Sequence, residues 1–119
     1  REMELLREAG FHPLEVIRAA TLSGAETLKM DDKIGTIEVG KLADMVLVDS
    51  NPLENLKVLY GTGAIKLNEN NEVVRVGGVK YTISDGVIYD AKGLLNQVKM
   101  MVDKAKEEEG FEIKQPGVN

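Results

Sequence analysis

Few residues in this 119-residue chain are of a type and spacing that could do chemistry. His12 is the single histidine and there is no cysteine. A zinc site draws three or four ligands from His, Cys and carboxylates, so one isolated imidazole is a poor start. In front of Pro13, that histidine is placed to cap a helix instead. Asp31-Asp32 and Asp49 are the carboxylates open to acid/base or calcium-binding roles. The pair lacks the alternating ligands and glycine of a calcium loop, and adjacent side chains diverge, so solvated loop and turn roles are expected. Asp44 heads an apolar run. There an aspartate is expected to accept backbone N–H bonds in the preceding turn or to pair with Lys41, since a general base needs a second titratable group nearby. Ser23 and Ser84 lack a His or Lys to activate a hydroxyl. Gly35, Gly40, Gly61 and Gly63 match neither G-x-x-x-x-G-K-[ST] nor a G-x-G-x-x-G that opens a helix, and read as turn glycines. Met30, Met45, Met100 and Met101 read as core filler. No catalytic, cofactor-binding or metal-ligating residue is therefore assigned.

Composition narrows the function classes further. Hydrophobic residues make up 43% of the chain and aromatics 4%, with no Trp. A core must then be built from Leu, Val, Ile, Met and Ala, and base-stacking platforms are not expected. A net charge of −5 without clustered Lys or Arg argues against nucleic acid as a partner. No apolar run approaches the roughly 20 residues that span a bilayer, so no membrane role is expected either. The absence of Cys is compatible with cytosol and periplasm alike, which leaves the compartment open.

The elements that would position these residues follow from periodicity. Met3, Leu6 and Ala9 sit at helical spacing over Arg1 to Ala9, with Gly10 placed as a left-handed cap. Pro13 opens a second helix, Glu15 lies in its first turn, and Leu14, Ile17 and Thr21 with Val16 and Ala20 form its apolar face. Ser23-Gly24 is expected to break or kink that helix before a short segment to Met30. Asp31-Asp32-Lys33 reads as a loop.

The period then turns strand-like. Gly35 to Val39 is a strand candidate, and Gly40-Lys41 a turn. Ala43 to Val48 reads as a strand covered on both faces, stopped by Asn51-Pro52. Leu56 to Tyr60 is expected to be a strand or edge segment, Gly61-Thr62-Gly63 a flexible joint, and Lys66 to Glu72 an exposed loop. Val73 to Val76 is a further strand, with Gly77-Gly78 a bulge or turn. Val79 to Ser84 and Val87 to Asp90 flank Asp85-Gly86, the strongest hairpin signal in the chain. Leu94, Val98, Met101, Val102 and Ala105 mark an amphipathic helix to about Glu109. Its face is expected to cover apolar sheet or barrel surface, with a mobile tail over 111–119.

Several of these stretches, taken in order, resemble one family. Met3-Glu4-Leu5-Leu6 through Gly10, Pro13 to Ile17 and Ala19-Ala20-Thr21 look like the last barrel helix and following segment of the metal-dependent amidohydrolases. Ile34-Gly35-Thr36-Ile37, Gly40-Lys41, Ala43-Asp44 and Asn51-Pro52-Leu53 look like the return to their β-sandwich. Gly77 to Ile83 and Asp85 to Ala91 are similar to the closing hairpin of the branch that contains imidazolonepropionase-like and prolidase-like dipeptidases. Two departures are visible: His12 stands where Ser or Thr is common, and the polar segment Lys66 to Glu72 is longer than in short members.

The resemblance implies an α+β chain: C-terminal helices of a (β/α)8 barrel over 1–30, a contribution to the small sandwich over 34–91, and a terminal helix over 92–110. It implies a hydrolase of C–N bonds such as those of a peptide or N-acyl amino acid, whose divalent metal, in most members zinc, activates water. The family's metal ligands all precede the stretch matched here. This chain is accordingly expected to act as scaffold and to be inactive alone. Its expected partners are the missing N-terminal barrel and sandwich strands, together with copies of itself through unpaired sheet edges. The rival expectation is a free-standing α+β interaction module without catalytic activity.

Overall fold

The computed structural model describes residues 1–110 as a mixed α+β chain in which helices precede two small antiparallel sheets and a long helix closes the order. Helix α1 (Glu2–Glu8) has no side-chain cap at its start and ends where Gly10 takes φ +102°. There the Arg7 guanidinium also donates to the Phe11 carbonyl at 3.2 Å. Helix α2 (Pro13–Arg18) begins at the expected residue, with His12 as its N-cap. The Glu15 carboxylate reaches back to accept the His12 N–H at 2.7 Å, which satisfies one donor left free at a helix start.

The break expected at Ser23-Gly24 takes a milder form. The helix widens into a π-turn over Ala19–Ser23 and resumes as α3 (Gly24–Thr27), with Gly24 itself helical at φ −63°. Thr21 Oγ1 donates to the Ile17 carbonyl and Thr27 Oγ1 to the Ser23 carbonyl, both at 2.8 Å, a pattern that bends helices.

The strand expected over Gly35 to Val39 does not form. The segment is a series of bends organised by Lys41, whose Nζ donates to the Asp31 carbonyl at 2.6 Å and to Thr36 Oγ1 at 2.5 Å. Gly35 at φ +97° presses against α3: a Cβ there would meet Ala25 Cβ at 2.7 Å. Ile37 and Val39 point into solvent, and no neighbouring strand offers them a ladder.

Strand β1 (Met45–Val48) pairs antiparallel with β4 (Val79–Ser84), Met45 opposite Ile83 and Leu47 opposite Tyr81, with a bulge between Leu47 and Val48. The β4–β5 hairpin, β5 being Val87–Asp90, turns on Asp85 at φ +48° and Gly86 at φ +79° as expected from their types. This sheet runs β1-β4-β5. Coverage of β1 on both faces is corrected: Val46 and Leu47 are exposed in this chain.

Two further expectations are corrected between these strands. Leu56–Leu59 is a 3-10 turn and not a strand, because Asn55 caps it by accepting the Lys57 N–H at 3.0 Å; Leu56 and Val58 are buried beneath. The loop expected from Lys66 begins later, since Lys66 lies inside β2 (Ala64–Leu67), which pairs with β3 (Val73–Val76) as a separate two-stranded sheet. Asn68 organises the connection: its Oδ1 accepts the N–H of Asn70 and of Glu72, each at 2.9 Å.

Gly63 and Gly77, both at positive φ, act as tight packing points more than as flexible joints. Helix α4 (Ala91–Glu109) is capped by Asp90, which accepts the Gly93 N–H at 3.0 Å, and closed by Gly110 at φ +65°. The helix lies against β4 and β5, but none of its residues is buried, and Val98 and Met101 of its apolar face stay exposed in this chain. The tail expected over 111–119 lies outside the described residues.

Candidate functional site

The residues with chemical potential do not converge. His12 is an exposed helix cap, and Asp31 and Asp32 are exposed loop residues. Asp49 forms an exposed ion pair with Lys92 at 3.4 Å. Ser84 ends β4 beside the hairpin turn. Asp44 does accept a backbone N–H, but the donor is not in the preceding turn: its Oδ1 takes the N–H of Asp85 at 2.7 Å, while the Gly86 N–H donates to the Ala43 carbonyl at 3.1 Å. Lys41 pairs with Glu38 at 3.8 Å and not with Asp44. Asp44 thus ties the head of β1 to a turn 41 residues away.

One polar cluster escapes a sequence reading. Glu4, largely shielded from solvent, accepts a hydrogen bond from the Tyr60 hydroxyl and faces Lys57 Nζ at 3.5 Å and Arg1 at 3.6 Å. These groups join α1 to the 3-10 turn beside a shallow cleft of about 200 Å³ lined by Arg7, Pro13 and Asn55. A carboxylate held by a phenol and two cations is a strap between elements. No signal along the chain could have paired residues 56 positions apart.

The larger concavity is apolar. A cleft of about 610 Å³ opens between α1, the α2–π segment and the β1–β4 sheet, lined by Met3, Ile17, Ala20, Met45, Val48 and Ile83 among others. Asp44, Thr21, Thr82 and Ser84 are the polar members of its lining. Its lining is mostly apolar, a surface suited to burying other apolar groups.

The sequence profile of the amidohydrolase family matches residues 1–89, most of the chain. The chain belongs to the amidohydrolase family. It is 33% identical over 90 residues to a 5'-deoxyadenosine deaminase of Methanobrevibacter smithii, a match covering 74% of this chain and 19% of that protein. An imidazolonepropionase of Caldanaerobacter subterraneus is 39% identical over 64 residues, 54% of this chain and 14% of that one. Among solved structures, a Xaa-Pro dipeptidase with bound methionine in its active site is similar, with a TM-score of 0.58 and 32% identity over 75% of this chain and 18% of the dipeptidase. The chain therefore spans less than a fifth of the length of these relatives.

The family resemblance implies a divalent metal, and the residues described here do not fit one. Among the described residues no three of His, Cys, Asp and Glu come together as a metal could require, and Glu15, three residues from His12, is occupied in capping the helix.

Proposed function

We propose that this chain is the C-terminal portion of a metal-dependent hydrolase of C–N bonds and serves it as scaffold. In this reading, α1 to α3 pack on the flank of a barrel encoded upstream, and β1 to β5 form the C-terminal share of the small sandwich. The membership in the amidohydrolase family supports the reaction class, and the likeness to a Xaa-Pro dipeptidase favours a dipeptide as substrate. When bound in such a barrel, the metal would supply an activated water. The residues here would contribute the wall behind that site and no group of their own.

The amount of uncovered surface carries the scaffold reading. A folded monomer of 13.0 kDa exposes about 6,300 Å² by the usual size scaling. This chain exposes 9486 Å². Even granting residues 111–119 an unfolded chain's exposure of about 160 Å² each, roughly 1,700 Å² remains in excess, the scale of a domain-sized contact. The apolar cleft facing the helices is where that contact would form.

The test is the reading frame upstream of the codon for Arg1. A frame encoding a barrel with a His-x-His pair, whose full product binds divalent metal and cleaves Xaa-Pro dipeptides while the present chain does neither, is the expected result. An initiator codon directly before Arg1 would overturn the proposal in favour of a free-standing interaction module.

A further inference from the structure

We infer that α4 is a self-association element: two copies of this chain pair through their α4 helices, antiparallel, about an axis between Val98 and Met101. This goes beyond the scaffold reading, because the family match ends at residue 89 and α4 begins at Ala91.

Spacing is the first observation. Leu94, Val98, Met101 and Ala105 recur at intervals of four, three and four, the a/d seam of a heptad, with Leu95 and Val102 flanking it on one side. All of this seam's large side chains are open to water: Leu94 is 48% exposed, Val98 57% and Met101 71%. A heptad seam is matched best by a second helix of the same period. An antiparallel copy sets Val98 against Met101 and Leu94 against Ala105, so a large side chain faces a small one at the outer layers and the seam fills evenly.

Charge selects the direction. The first half of α4 carries Lys92 and Lys99 and no acid, whereas the second carries Asp103, Glu107, Glu108 and Glu109 against Lys104 and Lys106. Within the helix, Lys104 meets Glu108 at 3.7 Å and Lys106 meets Asp103 at 3.9 Å, which leaves Glu107 and Glu109 as the surplus. Antiparallel pairing lays that acidic end beside the basic half and the positive helix start of the partner; parallel pairing would stack it against itself. A two-fold axis also makes the contact self-complementary, so pairing stops at two.

The helix is ready for this role. Caps at both ends hold its 19 residues, about 28 Å, in place before any partner arrives, so little ordering cost remains. The seam and its flank offer roughly 500 Å² per copy, and the pair's ~1,000 Å² sits at the lower bound for a specific interface. The dimer is therefore expected to be weak.

Sedimentation of the full chain across a concentration series reads the pairing directly. The expected result is a monomer–dimer equilibrium that Met101→Glu weakens at least about 100-fold, because the two-fold axis buries the charge twice. Met100→Glu is the control, for Met100 is also 71% exposed but lies off the seam, and it leaves the equilibrium unchanged. Far-UV circular dichroism of both variants should match the parent. Direction is read by disulfide trapping, which has no background in a chain without Cys. A mixture of Leu94→Cys and Ala105→Cys proteins cross-links, and Ala105→Cys alone does not. A monomer at several hundred micromolar, or a dimer equally sensitive or insensitive to both glutamates, would overturn the inference. Self-cross-linking of Ala105→Cys would overturn the antiparallel arrangement. Failure here leaves the scaffold reading intact, since that rests on the upstream frame.

Discussion

Asp44→Ala tests whether the aspartate of the Ala43-Asp44 motif is a structural tie. Its Oδ1 accepts the Asp85 N–H at 2.7 Å, a short distance for a bond to an ionised acceptor. Hydrogen bonds to charged groups contribute about 1.5–3 kcal/mol when shielded. Asp44 is exposed, however, and water can take the place of the lost acceptor, so the expected loss is nearer to 1 kcal/mol. Asp85 sits at φ +48°, a conformation that costs a non-glycine residue about 1 kcal/mol. The tie from Asp44 therefore helps to hold a turn against its own strain. The bond from the Gly86 N–H to the Ala43 carbonyl at 3.1 Å survives the substitution, so the hairpin should loosen locally without losing its register. Urea unfolding followed by far-UV circular dichroism gives the global change, and amide exchange at Asp85 gives the local one. Asp44→Asn keeps an acceptor and should lose about half as much. An Asp44→Ala protein with an unchanged midpoint and unchanged Asp85 exchange would refute the tie.

Other expected outcomes follow from packing and ligand count. Gly63→Ala would place a Cβ 2.4 Å from the Val76 carbonyl oxygen, a backbone clash, and should cost about 3 kcal/mol, against about 1 kcal/mol for Gly86→Ala, where φ is +79° but the space is open. Equal unfolding midpoints for the two variants would contradict this. Val16→Ala removes two methyl groups from a side chain that is 0% exposed and should destabilise by about 2 kcal/mol in the same assay. After dialysis against zinc and then buffer, metal analysis should find under about 0.1 zinc per chain, since one imidazole cannot hold the ion; stoichiometric zinc would refute that count.

What could be read from the sequence was whatever had a local cause. Asp85-Gly86 supplies positive φ at two adjacent positions, so the hairpin it turns was visible without any partner. The same holds for α4, bounded by the Asp90 cap and Gly110, and for α2, opened by His12-Pro13. Leu56 to Tyr60 misled because its alternation suits a strand, while the deciding group, the Asn55 side chain, lies one residue before it. Ile65 and Leu67 are separated by a lysine, so the second half of β2, Lys66-Leu67, reads as part of the polar loop that follows. Gly35 to Val39 has strand composition but no neighbour to pair with, and a strand exists only as half of a ladder. The Glu4 strap was invisible for the opposite reason, since its partners Lys57 and Tyr60 become neighbours only once the chain has folded. At the site, ligand counting is a local operation, whereas the apolar cleft needs both helices and sheet in place before it exists.

The uncovered surfaces divide along a boundary in the chain. The cleft between the first helices and the β1–β4 sheet is lined by residues from Met3 to Ser84, all inside the stretch that the family profile matches. The open seam of α4 lies wholly outside it. On the scaffold proposal, the cleft is the surface that the remainder of the same polypeptide would cover. The α4 seam is the surface that the self-association inference assigns to a second copy. Two copies could then pair through α4 without competing for the cleft, since no α4 residue lines it. If both proposals hold, the chain's excess area would be shared between an upstream barrel over the cleft and a second copy over α4. Supplying the barrel should leave the sensitivity of pairing to Met101→Glu unchanged.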